Sequence, residues 1–295
     1  MEHLRLAIAF MVMISIVTFV LTSRSLRSAS STVLNLAAIT IVATIGVYIR
    51  WIWGQLWIVN WIPLPSVAVL SNWFPILLAG LAAILWVRSE GKPLWRRLPG
   101  QGILMAVTGW TIFSALPYGN HNCGDEWIPA SAALPFRVCR QTTDHTCSAA
   151  SVATILEAMG VHATEAEMSE LCLTRQGTTW LGMYHGLSIK LMGTSWRVRF
   201  FEGSTEELRA LSSTRPVLLC CQLTEETAAV APSYQLEDGW KPGVLHSVVC
   251  FGPLDAESVI IGDPSQPRIE RWNQSDLENL WMGTALYVAS ADEAL

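Results

Sequence analysis

Charge is scarce in this sequence, and acidic charge is almost missing from its first part. Only 15% of the 295 residues are Asp, Glu, Lys or Arg, while 51% are hydrophobic, which is too apolar for an ordinary soluble domain. Up to Tyr118 there are 8 of the 19 basic residues and 2 of the 24 acidic ones, leaving 11 and 22 for the rest, a formal charge of −11 there. Clustered Lys/Arg is absent from that acidic remainder, which excludes nucleic acid as a partner, because phosphate binding needs concentrated positive charge. No G-x-x-x-x-G-K-[ST] occurs, so there is no P-loop for nucleotide phosphates. "HNCGDE" (His121–Glu126) has no second cluster at zinc spacing and reads as a polar linker, so no metal or other cofactor is expected.

What is present is long apolar runs, followed by an ordinary domain. Leu6–Leu21, Val33–Tyr48, Trp73–Val87 and Ile103–Leu116 are apolar runs near the length that crosses a hydrocarbon core. Four spans are expected, with three or five open. The first run reads as an anchor in the lipid bilayer rather than a signal peptide, because it exceeds the usual apolar stretch of a leader and more spans follow. Trp53, Trp57 and Trp61 share a helical face, expected along the membrane surface or lengthening the second span. "RSEGKPLWRR" (Arg88–Arg97) and the Arg24/Arg27 loop carry the basic charge expected on the cytoplasmic side, so both termini and the acidic part fall outside. The expected division is 1–118 transmembrane and 119–295 a second domain.

That second domain reads as α+β. "TCSAASVATILEAMG" has helical periodicity and stops at Gly160. Thr164-x-x-Glu167 predicts a capped second helix and "TTWLGMYHGLSIKLMG" a third. Strands are then predicted at "SWRVRFFE", "RPVLLCCQL", "LHSVVCFG", "SVIIGD", "PRIERW" and "TALYVAS", with short helices capped at Ser204 and at Ser275-x-x-Glu278. The turn "PLDAE" joins two of these strands as a hairpin. Helices first and an antiparallel sheet second is the α+β order. Thr224–Val244 is predicted as one long irregular stretch.

The chemistry centres on "RQTTDHTCSAAS". Cys147 falls at a helix start capped by Thr146 or Asp144, where unpaired N–H groups and the dipole favour a thiolate. If the hairpin forms, His246 and Asp263 meet, and the carboxylate fixes the tautomer so that the other ring nitrogen faces the thiol. Asp255 is the second choice for that carboxylate. Gln141, six residues before Cys147, is placed to donate its amide to an oxyanion. Cys172, Cys220, Cys221 and Cys250 read as core. Cys123 and Cys139 could pair as a disulfide outside the cytoplasm. His145 reads as surface and His185 as packing.

Gln-x5-Cys at a helix start, a His before "VV", and Asp-Pro together resemble the bacteriocin-processing cysteine peptidases, over roughly Arg140 to Ser290. The resemblance implies a papain-like fold, with Cys147 as nucleophile, His246 as general base and acid, Asp263 as its orienter and Gln141 as oxyanion donor. It further implies a peptide substrate, cut after a double glycine in a leader, and a separate exporter as partner. The same fold without catalysis would be a peptide-binding domain. After the nucleophile this chain has "SAAS" where the family more often shows "GPAA".

Overall fold

The computed structural model describes residues 2–113, 122–130, 136–266 and 268–293. The chain divides into two compact units, Met1–Leu116 and Pro117–Leu295.

The first unit is all helical: α1 (Glu2–Ser25), α2 (Ser31–Trp51), α3 (Val67–Leu70), α4 (Phe74–Arg88) and α5 (Leu94–Phe113). Among the described residues three segments are long and apolar enough to cross a membrane: Glu2–Ser25, Ser31–Trp51 and Val67–Arg88. Of the fourth expected run, residues 103–113 are helical as part of α5 and 114–116 lie outside the described residues. Arg96, Arg97 and Gln101 near its start lower the mean hydropathy of α5, which is not among the three. Leu6, Ile16, Leu36 and Ile39 on α1 and α2 are exposed, the outward apolar surface that lipid would cover. Inside, Leu34, Ile84 and Val87 pack together. The Tyr48 hydroxyl donates to the Ser71 carbonyl at 2.7 Å, giving a buried phenol its partner. Trp51 ends α2, and the tryptophan-rich stretch beyond it turns into a short 3-10 helix, Leu56–Asn60, so the second span is not lengthened.

The second unit is α+β in the expected order. A two-stranded ribbon, β1 (Trp127–Ile128) with β2 (Val138–Cys139), precedes three helices: α6 (Cys147–Ala158), α7 (Glu165–Leu171) and α8 (Trp180–Lys190). There follow β3 (Trp196–Glu202), α9 (Thr205–Ser212), β4 (Val217–Gln222), α10 (Glu225–Val230), α11 (Ser233–Leu236), β5 (Leu245–Pro253), β6 (Ser258–Gly262), β7 (Glu270–Asn273), α12 (Gln274–Leu280) and β8 (Trp281–Ser290). Six strands form one sheet in the order β3-β8-β4-β5-β6-β7, and every neighbouring pair is antiparallel. β4 is buried along almost its whole length, which explains why its sequence is a continuous apolar run rather than an alternation.

Three local expectations change. The helix before β8 is capped by Asn273 in a reciprocal box with Asp276, not by Ser275 and Glu278, because the chain turns helical two residues earlier. Thr164 accepts the Glu167 N–H, but the Glu167 carboxylate takes Lys190 at 2.6 Å. The stretch Thr224–Val244 holds α10 and α11, the first capped by the Thr224 hydroxyl accepting from the Thr227 N–H.

Candidate active site

Cys147 is the first residue of α6 and is 8% exposed. The first turns of that helix are built from Cys147, Ser148, Ala149, Ala150 and Ser151, all buried. Such small side chains let α6 approach β5 closely. Thr146 occupies the N-cap position but gives no side-chain cap; its hydroxyl donates to the Thr143 carbonyl at 3.1 Å. Asp144 pairs instead with Lys241 at 3.1 Å. Neither expected cap therefore occupies the first-turn N–H groups, and the positive end of the helix is left to the residue that opens it.

His246 lies on β5, paired with Cys221 of β4. β5 pairs β6 with Val249 opposite Gly262, so the residue just past the end of β6, Asp263, reaches back toward His246. Their contact is 2.8 Å, from His246 Nε2 to Asp263 Oδ1. The imidazole is 15% exposed and the carboxylate fully buried. Oδ1 also accepts from the Ser265 N–H at 2.8 Å and the Ser265 hydroxyl at 2.7 Å. Trp240 packs edge-on against the imidazole, ring centres 4.9 Å apart.

The electrostatics follow from this placement. Burial pushes the Cys147 thiol up, but the hydrogen bond and charge of His246 outweigh it, aided by Ser148 and the Ser247 backbone, and the thiol ends below its ordinary value. Burial disfavours the His246 cation, yet the Asp263 charge, its hydrogen bond and Cys147 carry the imidazole well above its usual value. For Asp263 burial again raises, and the His246 charge with the Ser265 bonds lowers, leaving a depressed carboxyl. All three directions favour the charged form of each group over the neutral one. Because Nε2 is held by Asp263, Nδ1 is the ring nitrogen left for the sulfur.

Gln141 lines an open cleft of about 390 Å³ together with Asp144, Glu237, Trp240, Lys241 and His246. Its backbone N–H donates to the Pro264 carbonyl at 2.9 Å, which fastens it next to Asp263. The side-chain Nε2 donates to the Thr143 carbonyl at 3.2 Å; an amide NH₂ carries two hydrogens, so one donor remains for a ligand.

Asp255 is not near this group. It sits on the surface, accepting the Glu257 and Ser258 N–H groups and pairing with Arg271 at 2.8 Å. Cys123 and Cys139 are free thiols, not a disulfide. Cys172, Cys220, Cys221 and Cys250 are fully buried. His145 is exposed, and the His185 Nδ1 lies 2.7 Å from the Leu171 carbonyl inside the helical layer. Sequence reasoning missed Trp240, Ser148 and Ser247. The last two stand directly after the Cys and the His, and that adjacency was the available signal.

No protein-family model matches the chain. Over 93 residues it is 34% identical to the fluoride-specific ion channel FluC of Chromohalobacter salexigens, a match covering 31% of this chain and 70% of that channel. Over that third of its length the chain belongs with that family of membrane proteins. The ion in that name is a property of the channel. Three apolar helices and this match are those of a membrane-associated protein.

Among solved structures, the chain is similar to the peptidase domain of Streptococcus ComA, a bi-functional ABC transporter involved in quorum sensing. Identity is 22%, TM-score 0.40, and the overlap is 52% of this chain and 96% of that one. The peptidase domain of Streptococcus mutans ComA gives 21%, 0.36, 52% and 98%. A double glycine motif protease from an AMS/PCAT transporter, in complex with the leader peptide, gives 14%, 0.38, 57% and 94%. At these values neither a site nor a substrate transfers.

Proposed function

We propose that this chain is a membrane-anchored cysteine peptidase of papain-like fold, with residues 119–295 as the peptidase domain on the non-cytoplasmic side, a placement that requires α5 to cross the bilayer as a fourth span. The observation that carries the reading is the 2.8 Å contact between His246 and Asp263 on the strands against which α6, opened by Cys147, is tied. The Cys147 thiolate attacks a peptide carbonyl, forming the C–S bond as the carbonyl π pair moves onto oxygen. The Cys147 N–H and the free Gln141 amide hydrogen are the donors for that oxyanion. The His246 imidazolium gives its proton to the leaving amine as the C–N bond breaks. Neutral His246 then takes a proton from water, whose oxygen attacks the thioester, and the acid leaves with the thiolate restored. Asp263 holds the imidazole and offsets its charge. The cleft beside His246 takes the peptide, with leader peptides ending in a double glycine as the substrate class and a separate exporter as the partner.

Cys147→Ala tests this directly. The expected outcome is complete loss of cleavage of a Gly-Gly leader peptide, with urea unfolding unchanged to within about 1.5 kcal/mol. Cleavage surviving in that variant would sink the assignment. A wild-type chain that binds such peptides without cutting them would make the domain a peptide-binding module instead.

A further inference from the structure

Ser148 follows the nucleophile and Ser247 follows the imidazole. Their hydroxyl oxygens are 2.9 Å apart, 2% and 0% exposed. The row extends at both ends. Ser148 Oγ lies 3.9 Å from Cys147 Sγ, and Ser247 Oγ lies 3.4 Å from the Met183 thioether. One turn along α6, the Ser151 hydroxyl donates to the Ser247 carbonyl at 2.8 Å. The helix carrying the thiol and the strand carrying the imidazole are thus tied at the positions next to both reacting groups.

Each hydroxyl has one proton, so the row points one way at a time. With Cys147 a neutral thiol, it can run from Ser148 through Ser247 to the thioether, a weak acceptor. With Cys147 a thiolate, rotation of both hydroxyls turns it to run from Ser247 through Ser148 to the sulfur anion, a much stronger acceptor. No proton changes owner in this turn. We propose that Ser148 and Ser247 form a two-hydroxyl link that fixes the nucleophile helix to the imidazole strand and ends as a hydrogen-bond donor on the Cys147 sulfur. Both are positioning residues, and the inference rests on the reading of Cys147 and His246 as a working pair. Ser148 is also where the chain departs from the "GPAA" pattern, so the link belongs to this sequence and not to the resemblance.

The charged and titratable groups facing Cys147 are His246 from β5, Asp263 through it, and Cys221 from β4; none is altered by the variants below. The test is the alkylation rate of Cys147 by iodoacetamide against pH, on the full chain in detergent micelles, read from the mass of the modified peptide. Wild type is expected to have a midpoint below the ordinary thiol value of about 8.5. Ser148→Ala is expected to raise that midpoint by about one pH unit, a tenfold loss of rate below it. Ser247→Ala should move it the same way, and the double variant no further than Ser148→Ala alone, because the two act as one chain. Ser148→Thr, which keeps the oxygen, should hold the wild-type midpoint. Alkylation of Cys220 and Cys221 reports any variant that merely loosens the fold. A low wild-type midpoint unmoved by Ser148→Ala overturns the link and leaves the peptidase reading standing. An ordinary wild-type midpoint overturns both.

Discussion

Three ionisable side chains around Cys147 shift in directions that make sense only together. A buried thiol, imidazole and carboxyl would each be driven neutral alone; placed in a row, each supplies the opposite charge its neighbour needs. The consequence for pH is definite. Below the lowered pKa of Cys147 the thiolate is lost, and above the raised pKa of His246 the imidazolium is lost, so activity should follow a bell. Asp263→Asn removes the charge that raises His246, so the alkaline limb should move to lower pH while the acid limb stays within the thiol's own range. kcat/KM measured across the profile checks this, and an unmoved alkaline limb would detach Asp263 from the imidazole. Gln141→Ala should lower kcat by about 10²–10³, the usual loss for one oxyanion donor, with KM little changed. At this scale the contact between His246 and Asp263 was readable, because the hairpin that joins β5 to β6 is a local pattern. The capping role expected of Thr146 and Asp144 was not, since the partners that claim them, Thr143 and Lys241, lie outside any helix motif.

Between elements, close approach decides what the sheet and helices can hold. α8 runs past Cys172 with Gly182 and Gly186 facing it, one turn apart. A methyl at Gly186 would collide with the Cys172 sulfur, and one at Gly182 with the Cys172 carbonyl oxygen. Cys172 is itself fully buried, so neither side can yield cheaply. Gly186→Ala is therefore expected to cost about 1–3 kcal/mol in urea unfolding without changing the rate per folded molecule; a neutral effect would mean that the α7–α8 contact is looser than drawn. The same logic explains α6, whose serines and alanines admit β5 at hydrogen-bonding range. Strand identity was legible from apolar runs and turns. The short helices α10 and α11 were not, because six- and four-residue helices carry no periodicity to read.

For the whole molecule, the first unit exposes apolar side chains on α1 and α2 that water would not tolerate in such density. With the basic residues around Arg24/Arg27 and Arg88–Arg97 set on the cytoplasmic side, three spans alone would leave the second unit in the cytoplasm, and the proposed placement outside requires α5 to cross as a fourth. Protease added to sealed spheroplasts should digest the second unit without lysis. Protection until lysis would reverse the orientation and place the cleft in the cytoplasm. The surface pair Arg27–Glu90, 3.3 Å apart and largely exposed, contributes little to that arrangement, as exposed ion pairs do.

By itself the sequence determined that the first part carries helices apolar enough to cross a membrane and that the second follows an α+β order of helices and strands. Those are properties of composition and period, carried by neighbouring residues. Only the tertiary structure decided that Cys123 and Cys139 are free thiols and that Ser148 meets Ser247. The second depends on how closely α6 lies on β5. That approach is set by packing between residues roughly a hundred positions apart, as Ser148 and Ser247 are, and no local pattern encodes it.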